Sequence, residues 1–106
     1  MTIRYDGQVA IVTGAGNGLG RSHALALAER GAKVVVNDLG GAVDGSGSSS
    51  DAALETVRLI EQAGGEAISN GANVADLSQV EAMVAQAGEK WGRVDILVNN
   101  AGILRD

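Results

Sequence analysis

Hydrophobic positions along the 106-residue chain fall into two kinds of run. Four are short, continuous and ended by polar residues or glycine: QVAIVT (8–13), KVVVND (33–38), EAISN (66–70) and VDILVN (94–99). Runs of this length, apolar on both faces and rich in β-branched residues, predict strands of a parallel sheet covered on both sides; 66–70 is the weakest of them. Between the runs the period changes. Leu19, His23, Ala26, Leu27 and Arg30 fall three or four apart and predict a helix stopped by Gly31, in which Ala24 and Ala28 form a small-residue row that lets it lie close to a sheet. Ala53, Val57, Ile60 and Gly64 mark one face of a second helix, with Ser50 as its cap, Asp51 in its first turn, and Glu55 and Arg58 outside that face. Val80, Met83, Val84, Ala87 and Trp91 mark a third, opened by a capping box of Asp76 and Gln79 and ended by Gly92. The pattern is β-α-β-α-β-α-β, which predicts an α/β parallel sheet with right-handed crossovers and no internal domain boundary.

Composition narrows what such a fold can do. The chain has no cysteine and one histidine, His23, so disulfides, thiolate sites and multi-histidine zinc sites are excluded; His23 itself reads as a packed or half-exposed helix residue. Net charge is -5 and the aromatic residues are Tyr5 and Trp91, which speaks against a nucleic-acid partner. No apolar run approaches the ~20 residues of a membrane span, no basic amphipathic helix suits a membrane surface, and the N-terminal residues carry no signal-peptide stretch. A cytoplasmic protein is expected. Sixteen glycines and no proline are the unusual numbers, because glycine is costly in regular structure and belongs where backbone geometry demands it.

The densest glycine cluster, TGAGNGLG (13–20), lies between the first strand and the first helix. Glycines there permit a tight turn and close backbone approach to a pyrophosphate, and the helix N-terminus adds N–H groups and partial positive charge. A P-loop is excluded because Arg21 stands at the lysine position, and the G-x-G-x-x-G spacing is not met; the spacing is Gly-x3-Gly-x-Gly. A glycine turn without a ligand is the alternative. Asp38 ends the second strand, 18 residues past Gly20, where an acid can accept hydrogen bonds from an adenosine ribose; otherwise it is a solvated strand-end acid. Asn73-Val74 follows the third strand and Asn99-Asn100-Ala101-Gly102 the fourth. In an open α/β sheet all four segments share the rim beyond the strand carboxyl ends, where ligands bind.

This combination, covering essentially the whole chain, resembles the short-chain dehydrogenase/reductase family. The stretches VVVNDLGG (34–41) and NNAGILRD (99–106) further resemble its peroxisomal (3R)-hydroxyacyl-CoA dehydrogenases, which would make the compartment peroxisomal. The resemblance implies a Rossmann-type doubly wound sheet of strand order 3-2-1-4 and a nicotinamide cofactor. Gly14, Asn17, Gly18 and Leu19 would line adenosine and pyrophosphate, Asp38 and Leu39 the adenine ribose, and Asn73 and Val74 the adenine. Asn100, Ala101 and Gly102 would lie along the inner ribose. Where the family has Asp-Val, this chain has Asn73-Val74. Asp38 favours NAD over NADP.

The family's chemistry uses serine and Tyr-x3-Lys beyond the Asn-Ala-Gly segment. Here the only tyrosine is Tyr5 and the only lysines are Lys33 and Lys90, so no catalytic residue is assigned. Residues 1–106 are therefore expected to be the dinucleotide-binding half of such an enzyme, incomplete at the C-terminus and inactive alone. The rest of the dehydrogenase domain is its expected partner, with homo-oligomers in the complete protein. A stand-alone nucleotide-binding or assembly module is the alternative. Two further expectations follow. Helices 18–30 and 77–91 share one face of the sheet with 51–63 on the other, and the open edge of strand 94–99 leaves the isolated chain marginal or self-associating.

Overall fold

The computed structural model describes residues 4–39 and 51–100. Its elements are β1 (Val9–Val12), α1 (Gly18–Glu29), β2 (Lys33–Asn37), α2 (Asp51–Gln62), β3 (Ala67–Asn70), α3 (Leu77–Trp91) and β4 (Ile96–Val98). The four strands form one parallel sheet in the order β3-β2-β1-β4, with Val9 opposite Lys33, Ala10 opposite Ile96 and Val34 opposite Ala67. β1, β2 and β4 each end one residue inside the apolar run that predicts them, so Thr13, Asp38 and Asn99 leave the ladder for the rim.

The helices are distributed differently from the expectation. α1 and α2 pack against each other on one face, over Val12, Val34 and Val36, with Ala24, Ala53 and Ile60 buried between helix and sheet. Among the described residues α3 alone covers the other face, where Met83 and Ala87 pack on Val9, Ile11 and Val35. Crossover handedness explains the correction. The steps β1 to β2 and β2 to β3 both move the same way across the sheet, so two right-handed crossovers place both helices on one side. The step from β3 to β4 runs back past the starting strand and puts α3 on the opposite side.

The contact face of α1 follows the expected small-residue row, and Leu27 packs there too, but the rest of the expected stripe does not all lie on it. Gly20 and Ala24 are buried and Ala28 packs against the core, whereas Leu19 is 67% exposed and Ala26 faces solvent. Closest approach to the sheet selects the smallest residues, so the Ala24–Ala28 row, extended back to Gly20, outranks the larger side chains. In α3 the Asp76 carboxylate accepts from the Ser78 and Gln79 backbone N–H groups as a cap should. The reciprocal half of the box is altered: Gln79 Oε1 accepts from the Asn73 N–H at 2.8 Å, while its amide nitrogen donates to Asp76. The Ser50 cap and residues 40–50 lie outside the described residues.

Asp95 fastens the start of β4. Its carboxylate accepts the Val9 N–H at 2.9 Å, its own N–H donates to the Val9 carbonyl at 2.9 Å, and Arg93 Nη2 pairs with it at 2.7 Å.

Candidate functional site

Because the strands are parallel, the segments following β1, β2, β3 and β4 emerge on one rim. The turn after β1 requires glycine twice. Gly14 has φ +63° and Gly18 φ +55°, a region that L side chains rarely adopt. These two residues bend the chain from the end of β1 into α1. Asn17, extended and exposed, is the N-cap, yet its side chain makes no cap hydrogen bond and the first turn holds no acidic residue. The contrast with α3, where Asp76 fills that role, is chemical: the leading N–H groups of α1 are not satisfied by their own cap. A helix end in that state suits an anion.

The flanks of this turn are close-packed. A Cβ on Gly20 would stand 2.0 Å from the Gly14 carbonyl oxygen and 2.8 Å from Asn100 Nδ2. A Cβ on Gly16 would stand 2.0 Å from Asp38 Oδ2. The Asp38 carboxylate therefore lies against the glycine turn from the β2 side and Asn100 lies against it from the β4 side. Asn100 donates its backbone N–H to Thr13 Oγ1 at 2.8 Å and its side-chain amide to the Gly14 carbonyl at 3.4 Å. Ala15 N–H donates to the Asn37 carbonyl at 2.8 Å, tying the turn to the end of β2.

Of the residues expected at the site, Gly14, Asn17, Gly18, Asp38 and Asn100 converge on this turn. Leu19 stands on the same rim with its side chain in solvent, and Leu39 is 61% exposed. Asn73 and Val74 follow β3; Asn73 is exposed and its Oδ1 accepts the Ala75 N–H at 2.9 Å in an Asx turn. The chain just before them is tied to the end of β2 by Asn37, a buried amide that donates to the Ala72 carbonyl at 3.1 Å and to Asn70 Oδ1 at 3.2 Å. Ala101 and Gly102 lie outside the described residues.

Four positions not counted among the expected site residues prove central: Thr13, Gly16, Gly20 and Asn37. Thr13 and Asn37 carry a legible signal, since each is a polar residue closing an apolar strand and both are buried. Arg21, the first cation after the turn, is engaged by α2: its Nε donates to Thr56 Oγ1 at 2.8 Å and Nη2 to the Ala52 carbonyl at 3.2 Å.

A concavity of about 510 Å³ opens at the opposite end of the sheet, between Arg4, Lys33, Glu29 and Glu66. The carboxyl ends of α1 and α2 open there, at Gly31 and Gly64, so the helix dipoles disfavour an anion in it. Among the described residues no group of three metal-ligating side chains occurs and no helix is long and apolar enough to cross a membrane.

The model of the short chain dehydrogenase family matches residues 8–106. The peroxisomal multifunctional enzyme type 2 of Drosophila melanogaster is 60% identical over 104 residues, which is 98% of this chain and 17% of that protein. A short chain dehydrogenase from Mycobacterium avium, of known structure, superposes with a TM-score of 0.84 at 56% identity, over 95% of this chain and 35% of that one. Carveol dehydrogenase from Mycobacterium avium, solved in complex with NAD, gives 0.83 at 33% identity, over 99% of this chain and 39% of that one. The chain thus spans well under half the length of these relatives.

Proposed function

The chain belongs to the short-chain dehydrogenase family, and from that premise we propose that it forms the cofactor-binding half of an oxidoreductase that takes NAD. The observation that carries the reading is the N-terminus of α1, uncapped by Asn17 and framed by Asp38 on one side and Asn100 on the other. Gly14, Asn17, Gly18 and Leu19 would hold the pyrophosphate and adenosine, Asp38 and Leu39 the adenine ribose, Asn73 and Val74 the adenine, and Asn100, Ala101 and Gly102 the inner ribose. When bound, the nicotinamide supplies hydride chemistry between an alcohol and a ketone. These residues bind and orient it. The serine and Tyr-x3-Lys that would move the proton belong to the remainder of the domain, so residues 1–106 alone should leave NADH oxidation by ketones at background. The stretches VVVNDLGG and NNAGILRD, with the 60% identity to the Drosophila protein, support a 3-hydroxyacyl-CoA as substrate class, and that relative's name supports a peroxisomal setting.

Asp38 supports NAD over NADP. Its carboxylate can accept ribose hydroxyls and repels a 2′-phosphate, its neighbours Asn37 and Leu39 are neutral, and Arg21 is engaged by α2. Unit charges about 4 Å apart interact by about 4 kcal/mol at an effective dielectric of 20, and one third of that surviving screening gives tenfold discrimination. The test is titration of the intact protein with NADH and NADPH. NADH should bind at least tenfold tighter, and Asp38→Ser should narrow the gap mainly by improving NADPH. A wild-type preference for NADPH, or an unchanged ratio in the variant, would overturn the assignment.

A further inference from the structure

The network around Thr56 is not accounted for by sheet packing or by the cofactor contacts above. Thr56 lies in the middle of α2 and is fully buried. Its hydroxyl accepts from Arg21 Nε at 2.8 Å, and its oxygen stands 2.9 Å from the Ala15 carbonyl oxygen, 3.3 Å from that of Gly16 and 3.2 Å from that of Ala52. A hydroxyl has one proton to give. A threonine within a helix ordinarily gives it to the carbonyl four residues back, here Ala52. In this chain Arg21 Nη2 supplies a donor to that carbonyl at 3.2 Å, and the closest acceptor left for the hydroxyl is Ala15.

The target of that proton matters because Ala15 and Gly16 form the glycine turn. A peptide group is planar and trans, so its C=O and the following N–H point in opposite directions. Drawing the Ala15 carbonyl toward α2 therefore aims the Gly16 N–H away from α2. The same bond fixes where Gly16 stands, and Gly16 is the residue against which the Asp38 carboxylate packs. An Arg21–Thr56–Ala15 chain thus joins α1 and α2 to the glycine turn at the rim.

Resting on the nicotinamide reading, we propose that Thr56, polarised by Arg21, is a positioning residue for the cofactor: it presets the Ala15–Gly16 peptide and with it the affinity of the turn for the dinucleotide. Thr56→Val removes the hydroxyl and keeps the shape, Thr56→Ser keeps the hydroxyl, and Arg21→Met removes the donors while keeping the stem. In the intact protein, NADH affinity is read by fluorescence titration at a temperature where circular dichroism shows each variant folded. Thr56→Val should weaken NADH about tenfold, Thr56→Ser should restore it to within about threefold, and Arg21→Met should weaken it about three- to tenfold. The double variant should bind no more weakly than Thr56→Val alone, because the two side chains act in series. At saturating NADH the kcat of Thr56→Val should stay near wild type.

A merely structural role predicts a lower unfolding midpoint with unchanged affinity of the folded fraction. Wild-type NADH affinity in folded Thr56→Val would overturn the proposal while leaving the nicotinamide reading intact. Should Thr56→Val not fold, Arg21→Met decides in the same way, and wild-type affinity there overturns it. Failure of the wild-type protein to bind NADH at all would remove both readings together.

Discussion

Gly20 in α1 and Gly88 in α3 allow one chemical change to be made in two surroundings. At Gly88 nothing lies within 4 Å of where a Cβ would stand. Only the backbone then counts, and alanine is favoured over glycine within a helix by about 0.5–1 kcal/mol, so Gly88→Ala should stabilise the protein by that amount. At Gly20 the same Cβ would stand 2.0 Å from the Gly14 carbonyl oxygen, where contacts below 3.0 Å are essentially never seen. The obstacle is backbone, so α1 or the turn must move by about 1 Å, the difference between those two distances. Overpacking of this kind costs about 1–3 kcal/mol, and a backbone obstacle belongs at the upper end; after the helix gain, Gly20→Ala should lose about 2 kcal/mol. The two variants should therefore differ by about 3 kcal/mol in urea unfolding of the intact protein, with unchanged slopes. NADH titration supplies the second reading. Gly88→Ala should bind as wild type and Gly20→Ala more weakly, since the displaced group is the turn itself. A Gly20→Ala protein as stable as wild type, or parallel shifts in both variants, would refute the argument.

Other outcomes can be checked with the same preparations. Gly16→Ala would place a Cβ 2.0 Å from Asp38 Oδ2, the movable end of a side chain, and 2.8 Å from the Ala52 Cβ, which moves only with α2, so the variant should lose some stability by urea unfolding and narrow the NADH-over-NADPH ratio severalfold in paired titrations. Ile60→Ala removes a fully buried side chain between α2 and the sheet and should cost about 2–5 kcal/mol by urea unfolding, with NADH affinity changed little. Asp76 is held below the usual carboxylate range chiefly by the Ser78 hydroxyl and then by Gln79, and Asp95 by Arg93 and the Val9 N–H. The unfolded chain takes up these protons more readily than the folded one. Their contribution is thus complete above about pH 4 and lost as pH falls through the depressed folded values. Unfolding midpoints should drop on acidification below about pH 4, and Asp76→Asn, still a good cap, should shrink the drop.

The strands were legible because both faces of a parallel sheet are buried, leaving continuous runs such as VVV at 34–36 with no other stable home. The glycine turn was legible because the positive φ of Gly14 and Gly18 leaves a direct trace in residue type. The contact face of α1 was legible in part: the small-residue row of Ala24 and Ala28 marked it, but periodicity also weighted Leu19 and Ala26, which face solvent, and missed Gly20. The sides taken by the helices follow from strand order rather than from any residue, so they were readable only after that order was applied step by step. Thr56 left a faint mark: it falls on the line Ala53–Thr56–Ile60, a polar residue on an apolar stripe. Its partners Arg21 and Ala15 stand 35 and 41 positions away, and no local pattern names them.

The bracket between Val9 and Asp95 has a consequence for synthesis of the chain. The two residues are 86 positions apart, and β4 hydrogen-bonds to β1 rather than to β3. At ribosomal rates of about 5–20 residues per second, β1 emerges roughly 4–17 s before the strand that completes its second edge. Over that interval VAIV, apolar on both faces, has only β2 beside it. The nascent chain thus exposes its most sticky edge for longest, which makes β1 the segment that a ribosome-associated chaperone has most reason to hold.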